Sequence, residues 1–524
     1  MRPKQRGFHL SLCSYSLRVS ATEITRRVKE VSPETKEKFP APSYTENVLA
    51  DCFEDAKRYF LDALLEVDYA HAVMLAEQEI ITVDELKMLL KGLRKLDLQK
   101  IRATKYDGTY EDLFFYIQQE ITKNCDPDTA GKLHTARSRN DIDVTIYRLH
   151  LRGVTLKLLR ETMNLHRTML DLAAQHHETL IPAYTHTQPA QPSTLAHFLL
   201  AIAENLGRDA KRLQRAFENM NYCPLGACAI TTTGFPISRT RTAELLGFTA
   251  PTVNSYASIA SIDYFTELLG ATNALLVNVG KFAQEFLLMA MQEFDVIVLS
   301  DGYVQTSSIM PQKRNPVALE HVRAIASKGL GQSLGVLTAV HNTPFGDIND
   351  SEDDIQPLIY SAIRDAHRAV SLLANTLERA TFKVDTLHKR AGENFITVTE
   401  LADTIVRREN LSFRVAHKIV HESVKAALAA SSEITHEILQ TAAREITGGE
   451  LALSAEETRL AMSADNFVNI RKIYGGTAPE ETRRALSVER EYQTANEEWF
   501  SARVQSLKNA ADKLKAIVDE IVKK

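Results

Sequence analysis

The segment "TSSIMPQKRNP", Thr306 to Pro316, sets two hydroxyls, Ser307 and Ser308, close in sequence to the ammonium of Lys313 and the amide of Asn315. Hydroxyls beside a fixed cation and amide donors can stabilise a developing anion and activate a serine. Pro311 and Pro316 limit helix formation between them and Gly302 lies just upstream, so the segment reads as a loop able to order over a ligand. No Gly-x-Ser-x-Gly elbow, HExxH pair or phosphate-binding P-loop occurs, so acyl-enzyme hydrolysis and the chemistry of those motifs are not indicated. A surface loop would hold the same residues without chemical purpose, and the rest of the chain has to decide.

Three more stretches carry polar groups that a helical core does not require. In "LHTARSRND" (Leu133 to Asp141), Arg137, Ser138, Arg139 and Asn140 gather donors where a helix should start, a combination suited to a carboxylate. A charged first turn with Asp141 as the helix-dipole partner accounts for the same residues. In "YTHTQPAQPSTLAH", Thr185, His186 and Gln188 precede Pro189, and Pro192 is placed to open the next helix. A histidine on so stiff a turn can trade a proton near neutral pH, although alone His186 reads as a structural residue. Asn254, Ser255 and Tyr256 read as a helix cap.

The elements that must position these groups are helical. Ile363, Ala366, Val370, Leu373 and Leu377 recur at steps of three and four, and 193–219, 255–294 and 316–340 repeat the pattern. Long helices with this much apolar surface pack in bundles and imply oligomerisation. Near the end, Phe500, Val504, Leu507, Ala511, Leu514, Val518 and Ile521 form a heptad-like seam, read as a packed terminal helix. Breaks near 126–132, 342–357 and "YGGTAPEE" divide the chain into an N-terminal helical region with its extension (1–133), a central long-helix region (134–383) and a C-terminal helical region (384–524).

Composition narrows the function classes. A formal net charge of −5 over 524 residues, with no basic stripe, argues against nucleic acid. No apolar run is long enough to span a membrane. Five scattered cysteines without a CxxC pair argue against disulfides and structural zinc and fit a reducing, cytoplasmic compartment. The first 20 residues hold four basic residues, four serines and no acid, the composition of a transit peptide or of a packing arm.

Taken in order and at these separations, the stretches resemble the fumarase/aspartase superfamily and, within it, the argininosuccinate lyases. "TSSIMPQKRNP" is similar to the signature loop, "LHTARSRND" and "YTHTQPAQPSTLAH" to two conserved blocks, and "PLGACAITTTGFPISRTRTAELLGF" and "YGGTAPEE" extend the match. The resemblance implies an all-α, three-domain fold whose central helices form a 20-helix bundle in a homotetramer, each active site drawing on three subunits. It implies elimination of fumarate from an N-substituted aspartate, argininosuccinate first, with no metal or organic cofactor. Carried over residue by residue, Ser307 is the general base, and Lys313 and Asn315 hold the adjacent carboxylate. His186, oriented by Glu320, relays a proton toward the leaving nitrogen. Ser138, Arg139, Asn140, Thr185, Gln188, Ser308 and Met310 bind substrate.

Several positions depart from the family pattern. Thr306 and Ala136 stand where glycines are usual, Asp68 where a serine is common, and Phe114 where a histidine is typical. The run "HNTPFGDINDSEDDIQP" (His341 to Pro357) replaces the Tyr-Asn-Lys-Asp-Leu-Gln-Glu-Asp-Lys run that contacts the arginine half. Its acids Asp347, Asp350, Glu352, Asp353 and Asp354 can meet a cationic amine or stand as a solvated acidic loop. The alternatives are therefore a lyase for another N-substituted aspartate, such as ethylenediamine disuccinate, and a non-catalytic, crystallin-like structural relative. Gln312, where adenylosuccinate lyases usually have histidine, disfavours that enzyme, and fumarase fits less well still.

Overall fold

The computed structural model describes residues 39–523, so the N-terminal transit-peptide or packing-arm reading lies outside the described residues. Helices dominate. The ones that matter for the site are α1 (Leu61–Glu77), α2 (Arg139–Gln175), α3 (Leu195–Met220), α4 (Asp263–Ala290), α5 (Val317–Val340), α6 (Gln356–Glu378) and α7 (Pro479–Lys523). From α2 to α6 they pack side by side as a bundle, with α2 against α3 and α6, and α5 between α4 and α6. One apolar core runs through the bundle and into the N-terminal helices; a smaller one lies within 401–461. Among the described residues no helix is long and apolar enough to cross a membrane.

The apolar stripes locate these helices well, with one difference. The 255–294 stretch is two helices, Ser255–Ala260 and α4, because Ser261 is extended (ψ 130°). Buried Ser258 anchors the shorter helix, lying 3.3 Å from the Arg239 guanidinium and bonding the Thr252 hydroxyl. Asn254 does cap it, accepting from the Ala257 N–H at 3.1 Å. The seam of α7 packs back onto α2 and α3, and Leu514 and Val518 enter the main core. A buried polar stripe fixes its register: His166 bonds Gln493 at 2.6 Å and Glu489 at 3.1 Å, and Gln214 donates to Asn496 at 3.0 Å.

Strands are confined to two-stranded ladders. The largest pairs β1 (Leu180–Thr185) with β2 (Gln188–Thr194) antiparallel, Leu180 facing Thr194 and Thr185 facing Gln188. Pro192 therefore sits in β2 opposite Pro182, and α3 opens instead at Thr194, whose hydroxyl accepts from the His197 N–H at 3.1 Å. A rigid φ suits an extended edge as well as a first helical turn, which is why the proline misdirects.

Asp68 on α1 and Arg137, just before α2, join the N-terminal helices to the bundle. Their side chains are 3% and 0% exposed and approach to 2.7 Å. The acid at position 68 thus meets a cation of its own chain. Removing one partner of such a pair strands a buried charge, at a cost of about 3–5 kcal/mol. Asp68→Ala should lose that much in denaturant unfolding, and Asp68→Ala combined with Arg137→Met should recover most of it. A single-variant loss below ~1 kcal/mol would show the pair to be energetically idle.

Candidate active site

Three polar groups stand at the ends of rigid elements. The first is the start of α2. Ser138 caps the helix and donates its hydroxyl to Asn140 Oδ1 at 2.9 Å, while the Asn140 amide donates to the Ala229 carbonyl at 3.2 Å. Arg139 is already engaged, donating to Asp112 at 2.6 Å and approaching Glu111 at 3.0 Å. Sequence reasoning missed these two acids, though their adjacency at the start of the Leu113–Thr122 helix was visible in "YEDLFFYI". Phe114 is buried, with its ring 5.2 Å from that of His134 and 5.8 Å from the Arg137 guanidinium.

The second group is the β1–β2 tip. His186 and Thr187 have φ of +52° and +63°, the geometry of a tight hairpin turn, flanked by Thr185 and Gln188. The imidazole of His186 is exposed and has no hydrogen-bond partner among the described residues.

The third group is the signature segment, which is a hairpin: β3 (Gln305–Thr306) pairs with β4 (Arg314–Asn315). Arg314 fastens its base, donating to Asp301 at 2.6 Å and to the Leu299 carbonyl at 2.9 Å. Thr306 lies in the ladder, where no glycine conformation is needed. Ser307 opens the turn, and its Oγ accepts the N–H groups of Ile309 at 3.3 Å and Met310 at 3.1 Å. Two N–H dipoles thus converge on the oxygen that an oxyanion would occupy. Ser308, Ile309, Met310 and the ammonium of Lys313 are exposed, and Lys313 has no partner among the described residues. Glu320, on the first turn of α5, is exposed and likewise unpaired.

Within one chain these groups are not joined. Among the described residues no hydrogen bond or ion pair links the Ser307 hairpin, the His186 tip and the start of α2, and His186 does not bond Glu320.

Beside Arg139 and Asn140 lies a cleft of about 260 Å³ lined by Asp143, Asp347, Glu352, Asp353 and Asp354 together with Glu111 and Asp112. Asp350 of the same run does not line it. The Tyr147 hydroxyl donates to Asp353 at 2.9 Å, and Tyr256, which sequence reasoning left as part of a cap, stacks on Phe345 and donates to its carbonyl at 3.1 Å. The replaced run is therefore pinned against α2. Burial first, and the carboxylate of Asp347 next, push Glu352 up to about 8; burial and neighbouring acids raise Asp143 and Asp353 as well.

Known proteins match this chain over most of its length. A lyase family model matches residues 79–331, and an argininosuccinate lyase C-terminal model matches residues 395–489. Argininosuccinate lyase 2 of Agrobacterium fabrum is 40% identical over 458 residues, 86% of this chain and 91% of that protein. Argininosuccinate lyase of Methanosarcina mazei is 35% identical over 469 residues, 89% and 94% of the two chains. The solved structure of an EDDS lyase in complex with formate superposes with a TM-score of 0.83 at 30% identity, covering 90% of this chain and 93% of that one. With its helical bundle, its signature hairpin and these relatives, the chain belongs to the argininosuccinate lyase family.

Proposed function

We propose that the protein is a carbon–nitrogen lyase that splits argininosuccinate into arginine and fumarate. The observation that carries this reading is Ser307, whose oxygen sits in a cradle of two backbone N–H groups on a hairpin that also bears Lys313 and Asn315. In the reaction Ser307, as its oxyanion, takes a proton from the carbon next to a carboxylate. The pair left behind delocalises into that carboxylate as an aci-carboxylate dianion, then forms the carbon–carbon double bond as the carbon–nitrogen bond breaks. The nitrogen leaves with the bonding pair and gains a proton, a step assigned to His186 with Glu320 orienting it. Electrons balance between substrate and products.

Fixed positive charge must meet the dianion, and Lys313 and Asn315 supply it. Ser138, Arg139, Asn140, Thr185, Gln188, Ser308 and Met310 are assigned to substrate binding. Because the side chains of His186, Lys313 and Glu320 have no partners among the described residues, we infer that the site is completed in trans in a homotetramer. Exposed Val277 and Leu334 on the bundle, 49% and 50% accessible, support that packing. The free thiols of the described cysteines fit a cytoplasmic enzyme.

A second reading is favoured by the acidic cleft: the amine half of the substrate is a diamine type, as in ethylenediamine disuccinate, held by Glu352 and Asp353. Fumarate release, followed by ultraviolet absorbance, with each substrate decides between them.

Ser307→Ala should lower kcat by about 10²–10⁴ with thermal stability unchanged; turnover within about tenfold of the parent would remove the general-base assignment. For the cleft, Glu352 has a folded-state pKa above its ordinary 4.5, so its proton contributes stability that is complete below 4.5 and lost as pH rises through about 8. Glu352→Gln should flatten the decline of the thermal midpoint across that window. An unchanged slope would show that the cleft carboxylates do not interact as described.

A further inference from the structure

On the side of the bundle covered by α7 lies a second cavity, of about 650 Å³, that none of the proposed chemistry uses. Its walls come from α1, from Arg94 at the end of the Val83–Arg94 helix, from Leu149 and Arg152 of α2, from Leu246, and from residues 507–519 of α7. That stretch of α7 lies beyond residue 489, where the match to the C-terminal family model ends. The volume is that of a small-molecule site.

Arg152 is the unusual feature of this wall. It is 7% exposed, donates to Asn221 Oδ1 and to the Leu246 carbonyl at 3.0 Å each, and lies 4.4 Å from the centre of the Phe248 ring. Its Nε–H has no partner, and no ion pair neutralises the guanidinium among the described residues. Glu66 is the acid that acts on it, from beyond ion-pair distance, and a buried charge so weakly compensated is costly. Lys508 and Lys515 of α7 line the same cavity, are exposed, and their ammonium groups make no hydrogen bond or ion pair among the described residues. Arg94 and Asp519 pair with each other across α7 and cancel, which leaves Glu66 as the acid facing three cations. Apart from Tyr69, the rest of the lining, including Leu149, Leu246, Leu514 and Val518, is apolar.

We propose that this cavity is a binding site for a small organic carboxylate with an apolar body, its head group taken by Arg152, Lys508 and Lys515 and its tail lying on the leucines and Val518. Thirteen residues of helix separate Arg152 from Arg139, about 20 Å at 1.5 Å per residue, so the occupant is not the substrate.

Calorimetric titration of the full-length protein with sodium octanoate tests this. The expected result is saturable binding with one site per chain and a Kd of about 1 mM or tighter, not displaced by fumarate, with 1-octanol and octylammonium at least ~10-fold weaker. Lys508→Gln combined with Lys515→Gln, both on the exposed side of α7, should weaken octanoate about tenfold with an unchanged thermal midpoint. Arg152→Met should abolish it. No saturable binding up to ~10 mM, equal binding of 1-octanol, or unaltered affinity in the double lysine variant would each overturn the site.

Discussion

Asp141 has no exposed surface, yet its carboxylate takes N–H groups from Ser138 at 2.8 Å and, across 85 and 87 residues of chain, from Gly226 at 2.7 Å and Cys228 at 2.9 Å. Burying a carboxylate is costly unless hydrogen bonds replace its water, and backbone donors at this distance do so without mobile side chains. The 37-residue α2 therefore starts at a fixed point, with the 224–229 loop locked over its first turn. Asn140 can reach the Ala229 carbonyl only because that loop is there. Gly226 is obligatory in this arrangement: its φ is +86°, and a Cβ would stand 2.7 Å from Arg239 Cγ. Asp68 and Arg137 hold the preceding residues in the same manner, so two buried carboxylates set the backbone to which Ser138, Arg139 and Asn140 belong.

Such anchoring is needed because the backbone around the site is strained. Ala136, His186, Thr187, Cys228 and Thr232 all have φ between +52° and +68°. For residues with a Cβ, each left-handed conformation costs about 1–2 kcal/mol. Ala136 carries this cost just before the first turn of α2. It follows Thr135, whose carbonyl is bonded by buried His71 at 2.9 Å, and its own carbonyl accepts the Cys228 thiol at 3.2 Å. His186 and Thr187 are held differently: the ladder from Leu180 to Thr194 forces the turn closed, so the imidazole projects from a stiff tip.

These same features separate what was legible in the amino-acid sequence from what was not. Apolar periodicity locates α3, α5 and α6 to within a few residues, because burial on one face is a local signal of period 3.6. The β1–β2 hairpin escapes that signal. Its turn residues are His and Thr rather than Asn-Gly, and its prolines mimic a helix start, so only the pairing of two strands reveals it. The polar residues of the site were legible as types and as blocks. Their partners were not: Glu111 and Asp112 on Arg139, Arg137 on Asp68, and Tyr256 on the 341–355 loop are contacts between distant segments, which no spacing encodes. The break at Ser261 has the same origin, since contacts of Ser258 with Arg239 and Thr252 override a continuous apolar stripe.

The Ser307 hairpin and the acidic cleft also differ physically. At the Ser307 hairpin the donors are backbone N–H groups whose orientation is set by a short ladder and by Arg314, so they are in place before any charge develops. That is the condition under which dipoles stabilise a transition state without reorganising. In the acidic cleft the order is reversed. Asp143, Glu352 and Asp353 crowd together with only Arg139 among them as a cation, and that guanidinium is already divided between Glu111 and Asp112. Burial and mutual repulsion push Asp143, Glu352 and Asp353 above the ordinary carboxylate range, and a neighbouring cation would act against that shift. A carbon–nitrogen elimination has an anionic half in the succinyl moiety and a cationic half in the amine. In the proposed reaction the first is assigned to permanent dipoles on a rigid hairpin and, in the diamine reading, the second to this cluster of carboxylates.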